Sequence, residues 1–178
     1  MNFNETKIAG VYIIEQSVFE DERGFFVKTF HENTFKDMGL ESNFRESYYS
    51  ESHKNVIRGM HFQTPDHDHA KIATTIIGKV HDVILDLRKN SETFGQYIEV
   101  ELSRENRKSV YIPRGCAHGF AAIEDNSVVY YMTSSVYSPE HDSGVRWDSF
   151  GAEWPVSNPI ISKRDSLFPE FKNYKSPF

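Results

Sequence analysis

From residue 44 to residue 137 the chain repeats one pattern, a short run of β-branched and aromatic residues followed in most cases by a turn carrying Gly, Pro, Asn, Asp or Ser. Eight such runs fall at 44–50, 56–63, 71–77, 79–88, 96–102, 108–112, 118–123 and 127–137. Short strands at this spacing specify an all-β sandwich or barrel and leave no room for the helices of a βαβ fold. Two further runs, 7–15 and 25–30, precede them on either side of a turn in which Gly24 supplies the permissive backbone. One helix is expected over 31–39, with Asn33 as its N-cap and Gly39 as its stop. Beyond Tyr137 a loop region rich in Pro and Trp leads to a tail with one or two short helical turns. No linker or internal repeat breaks the pattern, so the 178 residues are expected to form a single domain over 1–178.

The lone cysteine, Cys116, excludes an intrachain disulfide, and no basic segment followed by an apolar run opens the chain. The longest apolar runs are too short to cross a bilayer, so a cytoplasmic protein without a membrane partner is expected. A formal net charge of -6 argues against a nucleic-acid surface, which is normally basic. An anionic small molecule needs only a local positive pocket, for which Arg23, Arg58 and Lys71 are placed beside glycine or strand signals.

The run Val56 to Gln63 puts Arg58, Gly59 and His61 inside an apolar strand. Ideal pleating sends Arg58 and His61 to opposite faces, so both reach one pocket only if the strand is distorted between them, and Gly59 is the place for that bulge. The competing reading is a barrel strand with a solvated arginine and a satisfied core histidine. Asp82 shares a strand face with Ile84 and Asp86; if its strand neighbours that of His61, its carboxylate can hold the imidazole in one tautomer. The alternative is an aspartate at the barrel rim facing water. Tyr131 and Tyr137 share a face if their strand runs unbroken, while Tyr130 points the other way.

The segment 113–120, P-R-G-C-A-H-G-F, has the P-x-G-x-x-H spacing of the second cupin motif and brings His118 to a barrel mouth. A metal-binding cupin is expected to carry H-x-H in its first motif, but here His61 is followed by Gln63, which argues against a metal site. His67 and His69 have the spacing but lie in the loop P-D-H-D-H-A-K, where solvated histidines are expected; His31, His53, His81 and His141 offer no ligand spacing.

Taken together, E-D-E-R-G-F-F, V-I-R-G-M-H-F-Q, G-K-V-H-D-V-I-L-D-L-R, T-F-G, I-P-R-G-C-A-H-G-F, Y-S-P-E-H-D and I-S-K-R-D resemble the dTDP-4-dehydrorhamnose 3,5-epimerase family over nearly the whole chain. The resemblance implies a cupin-type jelly roll, a homodimer with exchanged N-terminal strands, and neither metal nor organic cofactor. It implies a nucleotide-diphospho-4-keto sugar as substrate, inverted at C3 and C5 through an enolate, in activated-sugar biosynthesis for surface polysaccharide such as capsule or lipopolysaccharide. On that reading His61 removes the proton, Tyr131 delivers one from the opposite ring face, and Lys71 and His118 are candidates to stabilise the enolate oxygen. Arg58 matches the family's diphosphate ligand, and Arg23 a ligand that the neighbouring subunit can supply. Asp165, in S-K-R-D, looks like the family's acidic support for the catalytic histidine and competes with Asp82 for that role. Gln63, Tyr137, Asp142 and Arg164 complete the candidate substrate contacts, Asp142 standing where the family has glutamate.

Two departures fall at the nucleotide end. Lys28 stands in place of a glutamate, and Glu46-Ser47-Tyr48 in place of a Q-x-N element. These positions leave the nucleotide open between dTDP and GDP, with a GDP-linked heptose as one alternative and C3-only epimerisation as another. A metal-dependent cupin oxygenase, a 3,4-ketoisomerase and a non-catalytic sugar-nucleotide binding module are the remaining rivals; His61 and Tyr131 together speak against the last.

Overall fold

The computed structural model describes residues 1–178. Two six-stranded sheets face each other. The first runs β1 (Asn2–Glu5), β2 (Tyr12–Glu15), β10 (Lys108–Ile112), β7 (Lys71–Ile77), β12 (Ser127–Thr133) and β5 (Glu46–Ser52). The second runs β13 (Asp142–Gly144), β6 (Val56–Gln63), β11 (Cys116–Ala122), β8 (Lys79–Asp86) and β9 (Tyr97–Ser103). Its sixth strand, β14 (Ile160–Ile161), lies parallel to the start of β6, on residues 56 and 57. All other pairings are antiparallel, and strands adjacent in space are mostly distant in sequence, which is the connectivity of a jelly roll. A separate hairpin, β3 (Ser17–Asp21) with β4 (Gly24–Lys28), carries the turn at Gly24.

Strand alternation divides the apolar residues into layers. Val80 and Ile84 of β8 point between the sheets, where they pack with Ala73, Leu102, Val110, Phe120, Val129 and Tyr131. Val83 and Leu85 of the same strand point outward and are covered, with Met60 and Phe62, by Phe150, Trp154, Phe171, Tyr174 and Phe178 of the C-terminal tail. On the outer face of the first sheet, Phe35 of helix α1 (Glu32–Asp37) is fully buried among Ile14, Ile72 and Tyr111. Six residues are too few for an autonomous helix, and burying one phenylalanine, about 2–3 kcal/mol, is what holds it.

The strands at 56–63, 71–77 and 108–112 have the expected bounds, and the two short helical turns of the tail are α2 (Lys163–Ser166) and a 3-10 turn at Phe171–Asn173. Four local expectations are corrected. The run 7–15 is strand only from Tyr12, because Thr6 and Val11 close a loop through Thr6 N to Val11 O, 3.0 Å, with Gly10 at φ +80°. Asn33 lies inside α1, whose N-cap is His31 without a side-chain cap bond; the stop at Gly39, φ +69°, is where expected. The strand beginning at 25 ends at Lys28, and the one beginning at 127 ends at Thr133, so Tyr137 sits on a loop rather than in register with Tyr131. No helix is long and apolar enough to cross a membrane.

Candidate active site

The inter-sheet core opens at one end into a cavity of about 350 Å³ whose walls come from both sheets. On the second sheet, His118 pairs with His61 and Phe120 with Arg58, so two steps along β11 match three along β6. The extra residue is the expected bulge, and it turns Arg58 and His61 into the same cavity despite their odd spacing. Gly59 sits there at φ +137°, and a Cβ on it would lie 2.5 Å from the Gly119 Cα. The bulge thus needs glycine on both strands, since a Cβ on Gly119 would meet the Arg58 carbonyl at 2.8 Å.

His61 Nε2 lies 2.9 Å from Asp165 Oδ1. Asp165 arrives on α2, which β14 anchors beside the start of β6 and which Ser162 caps by accepting from the Asp165 N–H at 3.0 Å. Its second oxygen accepts from the Gly59 N–H at 3.1 Å, so the carboxylate ties helix, bulge and imidazole together. Burial lowers the His61 pKa despite the opposing carboxylate. Burial acts to raise that of Asp165, but the hydrogen bonds from His61, Gly59 and Arg164 outweigh it and hold the acid well below its usual range. The resting pair is therefore a neutral imidazole against an ionised carboxylate.

Asp82 does not neighbour His61, because β11 lies between β6 and β8. Its Oδ2 instead meets His118 Nε2 at 2.8 Å, a second histidine–carboxylate pair that is almost wholly buried. Asp82 is not at a rim facing water either; its Oδ1 is buried with no partner in the chain. Lys71, also buried, lines the cavity, and burial pulls its pKa down to about 8 against the opposing pull of Asp82 and Asp142.

Tyr131 comes from the first sheet and belongs to both the inter-sheet core and the cavity wall. Its hydroxyl is 3.5 Å from Ser50 Oγ, and burial raises its pKa well above the ordinary value. The Tyr48 ring stacks on it at 4.8 Å, and the Tyr48 hydroxyl is pushed up to about 12 by burial and by Glu46 and Asp142. At the mouth, Arg58 is braced from β5 by Ser52 Oγ and the Glu51 carbonyl, both at 3.0 Å. Arg164 pairs with Asp142 at 2.6 Å, and Glu46 accepts from the Tyr137 N–H at 2.6 Å.

Of the sequence-derived contacts, three lie away from the cavity and a fourth, Gln63, is already engaged within the chain. Gln63 lines the cavity, but its amide is consumed: Oε1 accepts from Ser138 N at 2.6 Å, and Nε2 faces the carbonyls of His67 and Val136 at 2.8 and 3.2 Å. Ser47 is exposed on the outer side of β5, because Glu46, Tyr48 and Ser50 take the inward positions. Arg23 and Lys28 are exposed on the β3–β4 hairpin, Arg23 paired with Asp21, and neither reaches this chain's cavity.

Conversely, Ser50, Thr133 and Ser135 line the cavity without having been anticipated, and His69 is a half-buried wall residue rather than a solvated one. The signal for His69 was its even spacing from Lys71, which gives both the same face as the chain enters β7. His67 is half-buried too, its ring 4.2 Å from that of His141. No three His, Cys, Asp or Glu side chains converge in a metal-holding group.

A jelly roll whose end cavity sets a histidine–carboxylate pair on one sheet against a buried tyrosine on the other, with a lysine between, defines an acid–base enzyme of the isomerase type. A profile of dTDP-4-dehydrorhamnose 3,5-epimerase matches residues 5–173. The chain belongs to that family. It is 44% identical over 168 residues to the dTDP-4-dehydrorhamnose 3,5-epimerase of Methanothermobacter thermautotrophicus, covering 92% of this chain and 90% of the relative. The crystal structure of the Elizabethkingia anophelis enzyme superposes with a TM-score of 0.92 at 38% identity, over 97% of each chain. That of the Legionella pneumophila 3,5-epimerase in complex with dTDP-4-keto-L-rhamnose superposes with a TM-score of 0.93 at 31% identity, over 98% of this chain and 94% of the other.

Proposed function

We propose that this protein inverts C3 and C5 of a nucleotide-diphospho-4-keto sugar. The observation that carries the reading is that base and acid stand on opposite sheets, His61 on β6 and Tyr131 on β12, so a ring between them is addressed on both faces. The ketone at C4 acidifies the hydrogens at C3 and C5. The His61 nitrogen not engaged by Asp165 takes the C3 proton, the C–H electron pair moves into the C3–C4 bond, and the carbonyl π pair moves to oxygen. Lys71 and His118, the latter held by Asp82, stabilise that enolate. Tyr131, neutral because burial raises its pKa, gives its proton to C3 on the opposite face as the enolate collapses to the ketone, and solvent then takes the proton from His61 and reprotonates Tyr131. The same sequence at C5 completes the inversion. A positioned acid or base contributes about 10²–10⁴ in rate and an oxyanion donor about 10²–10³, so the groups must act together.

The diphosphate lies against Arg58 and Arg164 at the mouth, with Tyr137 as a flat wall for the base and Glu46, Tyr48 and Asp142 beside it. Arg23 and Lys28 act from a second copy of the chain. The β3–β4 hairpin that carries them exposes Phe19 (62%), Phe25 (44%) and Phe26 (61%), an apolar surface that pairing in a homodimer would cover. The enzyme acts as one cytoplasmic cupin unit supplying activated sugar for surface polysaccharide. Turnover of dTDP- and GDP-linked 4-keto-6-deoxyhexoses, followed by proton NMR, tests the assignment: inversion at both centres with the dTDP sugar is expected, and inversion confined to C3, or to the GDP sugar, would replace that part of it.

A further inference from the structure

Hydrogen bonding does little to aim the acid of the proposed reaction. The hydroxyl that faces the Tyr131 hydroxyl is that of Ser50, at 3.5 Å, beyond the roughly 2.5–3.0 Å of a well-formed O–H···O bond. The direction of the phenol is therefore set by what packs against its ring.

Tyr131 has a strand on each side. On the β7 side its direct partner is Ala73, which offers only a methyl group; Lys71, two residues along on the same face, holds its ammonium 6.0 Å from the ring centre. From the second sheet the His118 ring meets it edge-on, at 6.1 Å and 70°. On the β5 side the direct partner is Tyr48, and here the two rings stack, 4.8 Å apart and 25° from parallel. The sequence put Tyr48 at the nucleotide end, but the strand register sets it beside the acid as well. Because β5 is the last strand of its sheet, no further strand lies beyond Tyr48 to take its place. Tyr48 is 41% exposed and Tyr131 only 5%, so the outer ring meets the solvent that the inner one is spared.

The direction of the phenol matters at one step. Once the enolate has formed, two donors compete for its carbon, Tyr131 on one face and protonated His61 on the other. Delivery from Tyr131 inverts the centre, and return from His61 restores it. We propose that Tyr48 is the positioning residue for this acid: its ring, stacked on Tyr131, holds the hydroxyl toward the reacting carbon and so sets the share of enolates that invert. This rests on the epimerase reading.

The test compares wild type with Tyr48→Leu, which fills the space without a flat ring, and Tyr48→Phe, which keeps the stack without the hydroxyl. Each turns over the dTDP-linked 4-keto-6-deoxyhexose in D₂O, and proton NMR at early times counts deuterium at C3 in inverted and in retained sugar. The ratio of the two is taken within one reaction, so a change in substrate affinity or in the amount of folded enzyme cancels. In Tyr48→Leu the ratio should fall about tenfold while total exchange stays within a few fold of wild type, and Tyr48→Phe should keep the wild-type ratio. An unchanged ratio in Tyr48→Leu overturns the inference, whether or not exchange and melting temperature fall, since a merely structural role lowers both products alike. A ratio that falls equally in Tyr48→Phe also overturns it, because the hydroxyl and not the stacked ring would then be responsible. Wild-type protein that exchanges no hydrogen with the dTDP or GDP sugar overturns the epimerase reading and this inference with it.

Discussion

His61 Nε2 faces Asp165 Oδ1 at 2.9 Å and, on its other side, Arg164 Nη2 at 2.7 Å. A guanidinium only donates and a carboxylate only accepts, so one nitrogen cannot satisfy both in one protonation state. With a hydrogen on Nε2 the ring is bound to Asp165 and its other nitrogen is bare; with Nε2 bare it accepts from Arg164. Asp165 therefore selects the tautomer. Asp165→Asn keeps the shape but loses that selection and the charge that raises the His61 pKa. It should lower kcat by about 10²-fold or more and move the acid limb of the kcat/KM profile to lower pH. A limb that stays in place, or moves up, would remove Asp165 from its role.

Lys71 gives the alkaline limb. Its ammonium is lost as pH rises through about 8, so kcat/KM should fall there if the charge stabilises the enolate. The same shift has a sign in stability. The folded pKa lies below the unfolded 10.5, so the unfolded chain binds more protons between about pH 8 and 10.5, and folding gains roughly 3 kcal/mol from this group across that window. Lys71→Met should abolish that gain, be at least as stable as wild type at neutral pH, and be inactive. Parallel stability curves for the two proteins from pH 8 to 10.5, by urea titration, would show that Lys71 is not perturbed.

Gly59→Ala tests the bulge. A side chain there faces both a positive φ and the backbone of Gly119 at 2.5 Å, so destabilisation of at least about 2 kcal/mol is expected. Because Arg58 and His61 reach one cavity only through this bulge, activity should fall further than stability does. A variant with unchanged denaturation midpoint and turnover would show that the strand can be pleated otherwise.

The proposed dimer has its own signature. Replacing Phe19 and Phe26 of the β3–β4 hairpin with serine should shift sedimentation to the monomer and weaken substrate binding through loss of Arg23 and Lys28 from the paired copy. A sedimentation coefficient that does not change would separate those two residues from the site.

Strand content was legible because each run alternates between clear turn signals, and β6, β7 and β10 needed nothing else. The bulge was legible too, from an odd spacing with a glycine between two polar groups. Carboxylate pairing was not, because it depends on strand order. Asp82 belongs to β8, which β11 separates from His61, while Asp165 reaches His61 only because β14 pairs with β6 across about a hundred residues of chain. Gln63 lines the cavity, but that its amide clamps the 134–138 loop was not legible, because a polar residue on a pocket strand reads the same whether it meets a ligand or clamps a loop. His69 was misassigned because burial of a loop depends on the strand it leads into, here β7, and on the Gln63 clamp above it.

The central claim is two-sided proton transfer, and solvent deuterium reads it directly. Wild-type enzyme incubated in D₂O with the dTDP-linked 4-keto-6-deoxyhexose should place deuterium at C3 and C5 with both centres inverted, by proton NMR. Under the same conditions His61→Asn should incorporate none while still binding dTDP, and Tyr131→Phe should wash deuterium in without inverting the centre. Exchange at wild-type rate by His61→Asn, or full inversion by Tyr131→Phe, would contradict the account.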